Sequence, residues 1–112
     1  MLPNSLEKLK FGGFDNGDFN ESIDENVLPP TLKKLKFSKQ FDQPIRKNVL
    51  PNSLQILEFG SFFDSSIYTL PPNLTKLQIS NKYSHDLILP KLLILLDYIS
   101  NKKYHLSAVT MN

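Results

Sequence analysis

The sequence predicts a mainly β repeat solenoid with little helix, in which about four to five coils share a parallel sheet of short strands. The first observation is a Leu-Pro pair that recurs along the chain at spacings of 26, 22, 20 and 19 residues. Periods near twenty residues are typical of solenoids. The second observation is an alternation of polar and apolar residues after each pair, which predicts a strand. The repeats begin at Leu2, Leu28, Leu50, Leu70 and Leu89.

Aligned on Leu-Pro, the copies share the template Leu-Pro-x-Ser/Thr/Asn-Leu-x-x-Leu-x-Phe, followed by a variable segment that ends in Phe-Asp/Asn-x-x-Ile. Each apolar position becomes a column when coils stack, and stacking buries the column. The predicted core consists of five columns: Leu6, Leu32, Leu54, Leu74 and Leu93; Leu9, Leu35, Leu57, Leu77 and Leu96; Phe11, Phe37, Phe59, Ile79 and Tyr98; Phe19, Phe41, Phe63 and Tyr83; and Ile23, Ile45, Ile67 and Leu87.

Each strand is expected to be about four residues long, as in Lys34 to Phe37, where apolar side chains face inward and lysines outward. Because successive copies run in the same direction, neighbouring strands should pair in parallel. The Pro after each Leu stiffens the corner that enters the coil. Small residues after the strand, such as Ser38 and Gly60-Ser61, should form the opposite corner. In the first repeat, the turn-rich stretch from Gly13 to Asp18 should bulge out as a loop.

The domain prediction is a solenoid over residues 1–99, whose last repeat is degenerate, followed by a C-terminal tail or cap over residues 100–112. Ile94 and Leu95 occupy positions that are mostly polar in the earlier coils, so they need a cover. We expect the tail around Tyr104 to Val109 to provide it. A monomer is expected, with the first strand, Lys8 to Phe11, as an open edge that lysines protect from pairing.

Composition narrows the function classes. The chain has 112 residues with 40% hydrophobic and 21% charged, and its net charge is only +2, so it lacks the strong basic bias of a dedicated nucleic-acid binder. There is no cysteine, which fits a reducing compartment. The start resembles no signal peptide, and the longest apolar run, Leu92 to Leu96, is too short to cross a bilayer. An intracellular, cytoplasmic protein is therefore the expectation.

Two stretches carry a family resemblance: the segment from Leu28 to Phe37, and Phe41-Asp42-Gln43-Pro44-Ile45 after it. They resemble the FNIP repeat, a short leucine-rich-repeat relative, and the resemblance extends over about residues 2–88 as four copies. It implies leucine-rich-repeat-like coils and a non-catalytic protein-protein interaction scaffold. The alternatives are a substrate-receptor piece of an F-box-type ubiquitin-ligase adaptor, although no F-box-like segment occurs in this sequence, or a fragment of a longer repeat array.

The outward strand positions form a candidate partner-binding face. Its residues are Lys8, Lys10, Lys34, Lys36, Ile56, Glu58, Lys76 and Gln78, with Leu95 and Asp97 on the degenerate repeat. The lysines form a basic stripe that either steers an acidic protein partner by charge or simply keeps the sheet soluble. Nucleic acid is not favoured, because the stripe lacks arginine and the phenylalanines belong to the predicted core.

A polar residue follows the aromatic column in every copy: Asn20, Asp42, Asp64 and Ser84. Hydrogen bonds that cap turns explain it better than a calcium site, since a calcium ion needs several converging ligands. His85 and His105 have no motif around them and are expected at the surface. Because no set of nucleophile, base and oxyanion donors can be assigned, we predict no catalytic, cofactor or metal site and no enzyme activity.

Overall fold

The structure, a computed structural model, describes residues 3–11, 19–80, 82–90 and 109–111. These residues contain no helix and form six strands of three residues each. The strands are β1 (Lys8–Lys10), β2 (Lys34–Lys36), β3 (Ile56–Glu58), β4 (Lys76–Gln78), β5 (Leu87–Leu89) and β6 (Val109–Met111). The mainly β repeat solenoid predicted from the sequence is therefore confirmed.

The first four strands form one parallel sheet in the order β1-β2-β3-β4. Their register places the central leucines in one row, Leu9, Leu35, Leu57 and Leu77. This row is the column predicted from the repeat alignment. The strands are one residue shorter than expected because the chain turns soon after each strand, for example where the Phe41 N–H donates to the Ser38 carbonyl.

Two recurring turns close each coil. After each of the first four Leu-Pro pairs, a leucine N–H donates to the proline carbonyl three residues earlier, at 3.2 Å for Leu6, 3.1 Å for Leu32 and Leu54, and 3.3 Å for Leu74. At the opposite corner, the N–H of Phe63 donates to the Gly60 carbonyl, as Phe41 does to Ser38. These corners lie where the sequence predicted them. The expected loop from Gly13 to Asp18 lies outside the described residues.

The core is a continuous stack of the predicted columns. Leu32, Leu35, Leu54, Leu57 and Leu74 are fully buried. Two parallel files of aromatic rings run beside them, with centroid distances between 3.9 and 6.0 Å in near-parallel stacking. The files contain Phe11, Phe37 and Phe59, and Phe19, Phe41, Phe63 and Tyr83. Because each ring touches rings in neighbouring coils, the coils stabilise one another.

A second line of parallel pairing, separate from the four-stranded sheet, runs along the isoleucine column. Ile45 and Ile67 form a parallel bridge, and β5 pairs in parallel with β6, where Leu87 lies opposite Val109. Val109 follows Leu87 by 22 residues, the same spacing that separates Ile23, Ile45 and Ile67. The last described strand thus continues the repeat in a region where the sequence predicted a tail or cap. The boundary at residue 99 stays a prediction.

The rest of the degenerate repeat lies outside the described residues. This applies to Leu93, Ile94, Leu95, Leu96, Asp97 and Tyr98, to the expected cover from Tyr104 to Ala108, and to His105. At the other end, β1 borders the sheet, and its Leu9 is only partly buried whereas Leu35 is fully buried.

Candidate functional site

The strand face is the outward surface of β1–β4, and it consists of two rows of side chains. The register pairs every member of a row with its neighbour on the next strand, at the usual spacing of about 4.8 Å between strands. One row holds Lys8, Lys34, Ile56 and Lys76, and the other holds Lys10, Lys36, Glu58 and Gln78. The eight residues predicted from the sequence therefore lie together on one face. That this face binds a partner stays a prediction.

On the β1–β2 half of the face, lysine stands opposite lysine at both positions. Lys8 pairs with Lys34 and Lys10 with Lys36. Like charges directly opposite each other on neighbouring strands are destabilising. The four side chains surround a shallow hollow that Leu9 and Glu58 also line. This half concentrates positive charge at a cost in stability, which an anion in the hollow would offset.

On the β3–β4 half, Glu58 neutralises part of the stripe. Its carboxylate lies 3.8 Å from Lys36 Nζ on one neighbouring strand and 3.7 Å from Lys76 Nζ on the other. The side chain of Glu58 is 11% exposed, whereas those of the two lysines are 45% and 46% exposed. Glu58 is therefore largely buried, although it occupies an outward position of its strand. In both ion pairs, Glu58 is thus the buried partner and the lysine is the more exposed one.

The remaining positions of the face are uncharged. Ile56 is partly buried between Lys34 and Lys76 in its row, and Gln78 is exposed at the far strand. Among the described residues, Lys8, Lys10 and Lys34 form no salt bridge. Sequence reasoning grouped all the strand lysines as equivalent. The pairing of Glu58 with Lys36 and Lys76 was not predicted, although the repeat alignment already placed Glu58 between two strands that carry lysine.

The polar column forms a ladder between coils. The side-chain Oδ1 of Asn20 accepts from the Asp42 N–H, that of Asp42 from the Asp64 N–H, and that of Asp64 from the Ser84 N–H, each at 2.8 Å. Hydrogen bonding to backbone was predicted, and the structure adds that the bonds join successive coils. Each rung spans 20 or 22 residues, so the ladder locks the register of the stack.

The last rung holds the perturbed titrating groups. The backbone N–H and the hydroxyl of Ser84 lower the pKa of Asp64 below its ordinary value. Burial raises the pKa of Tyr83 well above its usual range, and the Asp64 charge adds to the effect. The Tyr83 hydroxyl donates to the Ser65 carbonyl at 2.8 Å. His85 is exposed, as expected, and its Nε2 lies 2.8 Å from the Asp64 carbonyl oxygen.

The ladder does not gather metal ligands. Within the part of the chain that the structure describes, no group of three or more acidic, histidine or cysteine side chains is placed to hold a metal ion. The ladder oxygens instead point one by one at backbone N–H groups of the next coil. The strand face is therefore the better candidate for a functional surface.

In-register parallel strands joined by recurrent turns around stacked leucine columns define a leucine-rich-repeat-like solenoid. Residues 19–62 match the family model for the FNIP repeat, so this segment of the chain is built of FNIP repeats. The comparison with curated proteins gave no match. No helix among the described residues is long and apolar enough to cross a membrane.

A solved structure supports the same fold. It is the crystal structure of CroV588, which is described as a novel circular LRR protein structure. The two chains are 36% identical and superpose with a TM-score of 0.76. The match covers 99% of this chain but only 18% of CroV588. This chain therefore corresponds in length to a small part of that protein.

Proposed function

We propose that the protein is a protein-protein interaction scaffold, without catalytic activity, that binds an acidic partner protein through the strand face of β1–β4. The observation that carries the proposal is the pairing of lysine with lysine at both positions of β1 and β2. Such pairing lowers the stability of the sheet. An acidic partner would turn this repulsion into attraction and would be steered to the face over long range.

The arrangement of aromatic residues supports a protein partner over a nucleic acid. Binding of single strands relies on exposed aromatic rings on which bases stack. On the described part of this chain, Phe37, Phe41, Phe59 and Phe63 are buried in the ring stack. The exposed rings of Phe62 and Tyr68 follow β3 in the chain and lie outside the strands of the face. The face therefore offers charge without stacking platforms.

A second proposal concerns the array to which such coils belong. Because CroV588 is more than five times as long as the segment matched here, similar coils can form one part of a longer leucine-rich-repeat protein. In that setting, the protein would be a fragment of a longer array or the substrate-receptor piece of an F-box-type ubiquitin-ligase adaptor. Probing the captured proteins for cullin-complex subunits tests the adaptor role, and their absence would contradict it.

The test of the main proposal is affinity capture with three forms of the protein. The face variant carries Lys8→Glu and Lys34→Glu. The control variant carries Lys47→Glu and Lys82→Glu, which change the net charge equally at exposed lysines outside the sheet. An acidic protein should bind the wild type and the control, should be released by salt, and should be lost from the face variant. Capture of the same proteins by all three forms would overturn the proposal.

A further inference from the structure

Glu58 shows how this face holds a carboxylate. Its side chain lies over the sheet with an ammonium group on either side, Lys36 Nζ at 3.8 Å and Lys76 Nζ at 3.7 Å. The two lysines come from the strands that flank β3, one from the same row as Glu58 and one from the other row. Glu58 therefore occupies, within the chain itself, the kind of place between two lysines that an acidic side chain of a partner would take on this face.

The β1–β2 half has the lysines of this arrangement but not the carboxylate. The positions equivalent to Glu58 on the first two strands are Lys10 and Lys36. Lys8, Lys10 and Lys34 form no salt bridge to any described residue, and they line the hollow together with Lys36, Leu9 and Glu58. An external carboxylate in this hollow would therefore pair with the three lysines to which Glu58 forms no salt bridge.

We propose that Glu58 is a specificity-determining residue, which occupies Lys36 and Lys76 and thereby confines acidic segments of a partner to Lys8, Lys10 and Lys34. This inference rests on the proposed function of the strand face. The fitting ligand is an extended polypeptide segment with acidic side chains at alternating positions. In such a segment, side chains on one side repeat every 6.6 to 6.8 Å or so, which equals the spacing between Lys8 and Lys10 along β1.

The negative charge of Glu58 also acts on the partner directly. A second carboxylate placed over β3 would lie beside that of Glu58 and be repelled, and repulsion against the wrong pose is a common source of specificity. Beside Glu58 in the neighbouring row, Ile56 offers an apolar contact instead. A partner that extends beyond β1 and β2 is therefore favoured where it places an apolar group, and not a carboxylate, over β3.

The experiment measures binding of a short fluorescent peptide of alternating Glu and Ser by anisotropy, at about 20 mM and about 150 mM salt. The same peptide with Gln in place of Glu is the matched control. Glu58→Gln keeps the shape of the side chain but releases both lysines, so the affinity for the acidic peptide should rise about two- to five-fold at the lower salt. The thermal midpoint of the variant serves as the check that it folds.

A second substitution isolates the mechanism. In the wild type, Lys76→Gln should change peptide affinity little, because Lys76 already pairs with Glu58. In the Glu58→Gln background, the same substitution should cancel part of the gain, because the released ammonium then contacts the peptide. Equal effects of Lys76→Gln in both backgrounds, or no gain from Glu58→Gln, would overturn the inference.

The outcomes separate this inference from the function on which it rests. If Lys8→Gln with Lys34→Gln weakens peptide binding while Glu58→Gln changes nothing, the acidic-binding face stands and the role of Glu58 falls. If neither changes binding, both fall. A homopolymer RNA that binds more tightly than the acidic peptide through the same lysines would also overturn both, because the face would then select nucleic acid.

Discussion

The two halves of the strand face share one backbone and differ in charge. On β1 and β2, all four outward side chains are lysines, whereas β3 and β4 present an isoleucine, a glutamate, a lysine and a glutamine. The inward leucines are the same on all four strands. The repeat thus fixes where side chains point, while the outward positions, most of which are less buried than the leucines, are freer to differ and to encode specificity.

The largest expected effect comes from the core that both halves share. Leu35 is fully buried between the strand of Leu9 and that of Leu57. Leu35→Asp would bury a charge without a partner, which costs several kcal/mol against a total stability of about 5 to 15 kcal/mol. Thermal unfolding followed by circular dichroism should show no cooperative transition. If the variant unfolded at the thermal midpoint of the wild type, the leucine column would not be stacked, and the two halves of the face would not share one backbone.

A smaller loss is expected at the corner that follows β3. A Cβ at Gly60 would lie 2.5 Å from Lys39 Cα and 2.7 Å from the Ser38 carbonyl oxygen, so the backbone of the preceding coil would have to move. Gly60→Ala should therefore cost about 1 to 3 kcal/mol in denaturant unfolding. Ser80→Ala, at the equivalent corner after β4, is the control and should cost less. Equal losses of unfolding free energy in the two variants would show that the close approach of Gly60 to Lys39 and Ser38 does not limit the side chain at this position.

Acid sensitivity provides the next test, at the edge of the ladder. The pKa of Asp64 is lowered in the folded state, so its contribution to stability is complete above its ordinary value of 3.8 and is lost as the pH falls through the folded value. Asp64→Asn removes this dependence but keeps an oxygen for the Ser84 N–H, as Asn20 provides for Asp42. The variant should lose less stability than the wild type between about pH 4 and pH 2. Identical acid transitions would contradict the assignment.

The sequence predicted the inward half of the molecule more completely than the outward half. The leucine register, the aromatic files and the two corners follow from apolar residues that recur at fixed offsets, because burial makes each such position costly to change. The strand that contains Val109 was missed, because the residues four and three positions before it, His105 and Leu106, replace the aromatic and polar pair that marked earlier copies.

The candidate site could be predicted only in part. Alternation placed the eight residues on one face, but the burial of Glu58 depends on how the side chains around it pack, and periodicity carries no information about that packing. The sequence pattern also could not predict which backbone groups the ladder residues bond. A column of polar residues indicates hydrogen bonds, but it does not say whether they stay within a turn or join Asp42 and Asp64 in successive coils.

The smallest stability effects should separate the two halves of the face. Lys34→Glu removes a repulsion with Lys8 opposite it and should leave unfolding nearly unchanged or slightly stabilised. Lys36→Glu removes the ion pair with Glu58 and puts two carboxylates opposite each other, so it should cost up to about 1 kcal/mol. Denaturant unfolding at low salt measures the difference. The reverse order would contradict the charge assignment of the two halves.

Binding of acidic segments by the β1–β2 half of the face is tested most directly by an affinity measurement. The ligand is an acidic peptide of alternating Glu and Ser, and its affinity for the folded protein is compared between two charge-matched variants. One carries Lys8→Gln and Lys34→Gln on the β1–β2 half of the face, and the other carries Lys47→Gln and Lys82→Gln outside the sheet. The first variant should lose most of the salt-sensitive binding, and the second should keep it. Equal affinities would contradict the claim that the outward positions of β1 and β2 carry the binding function.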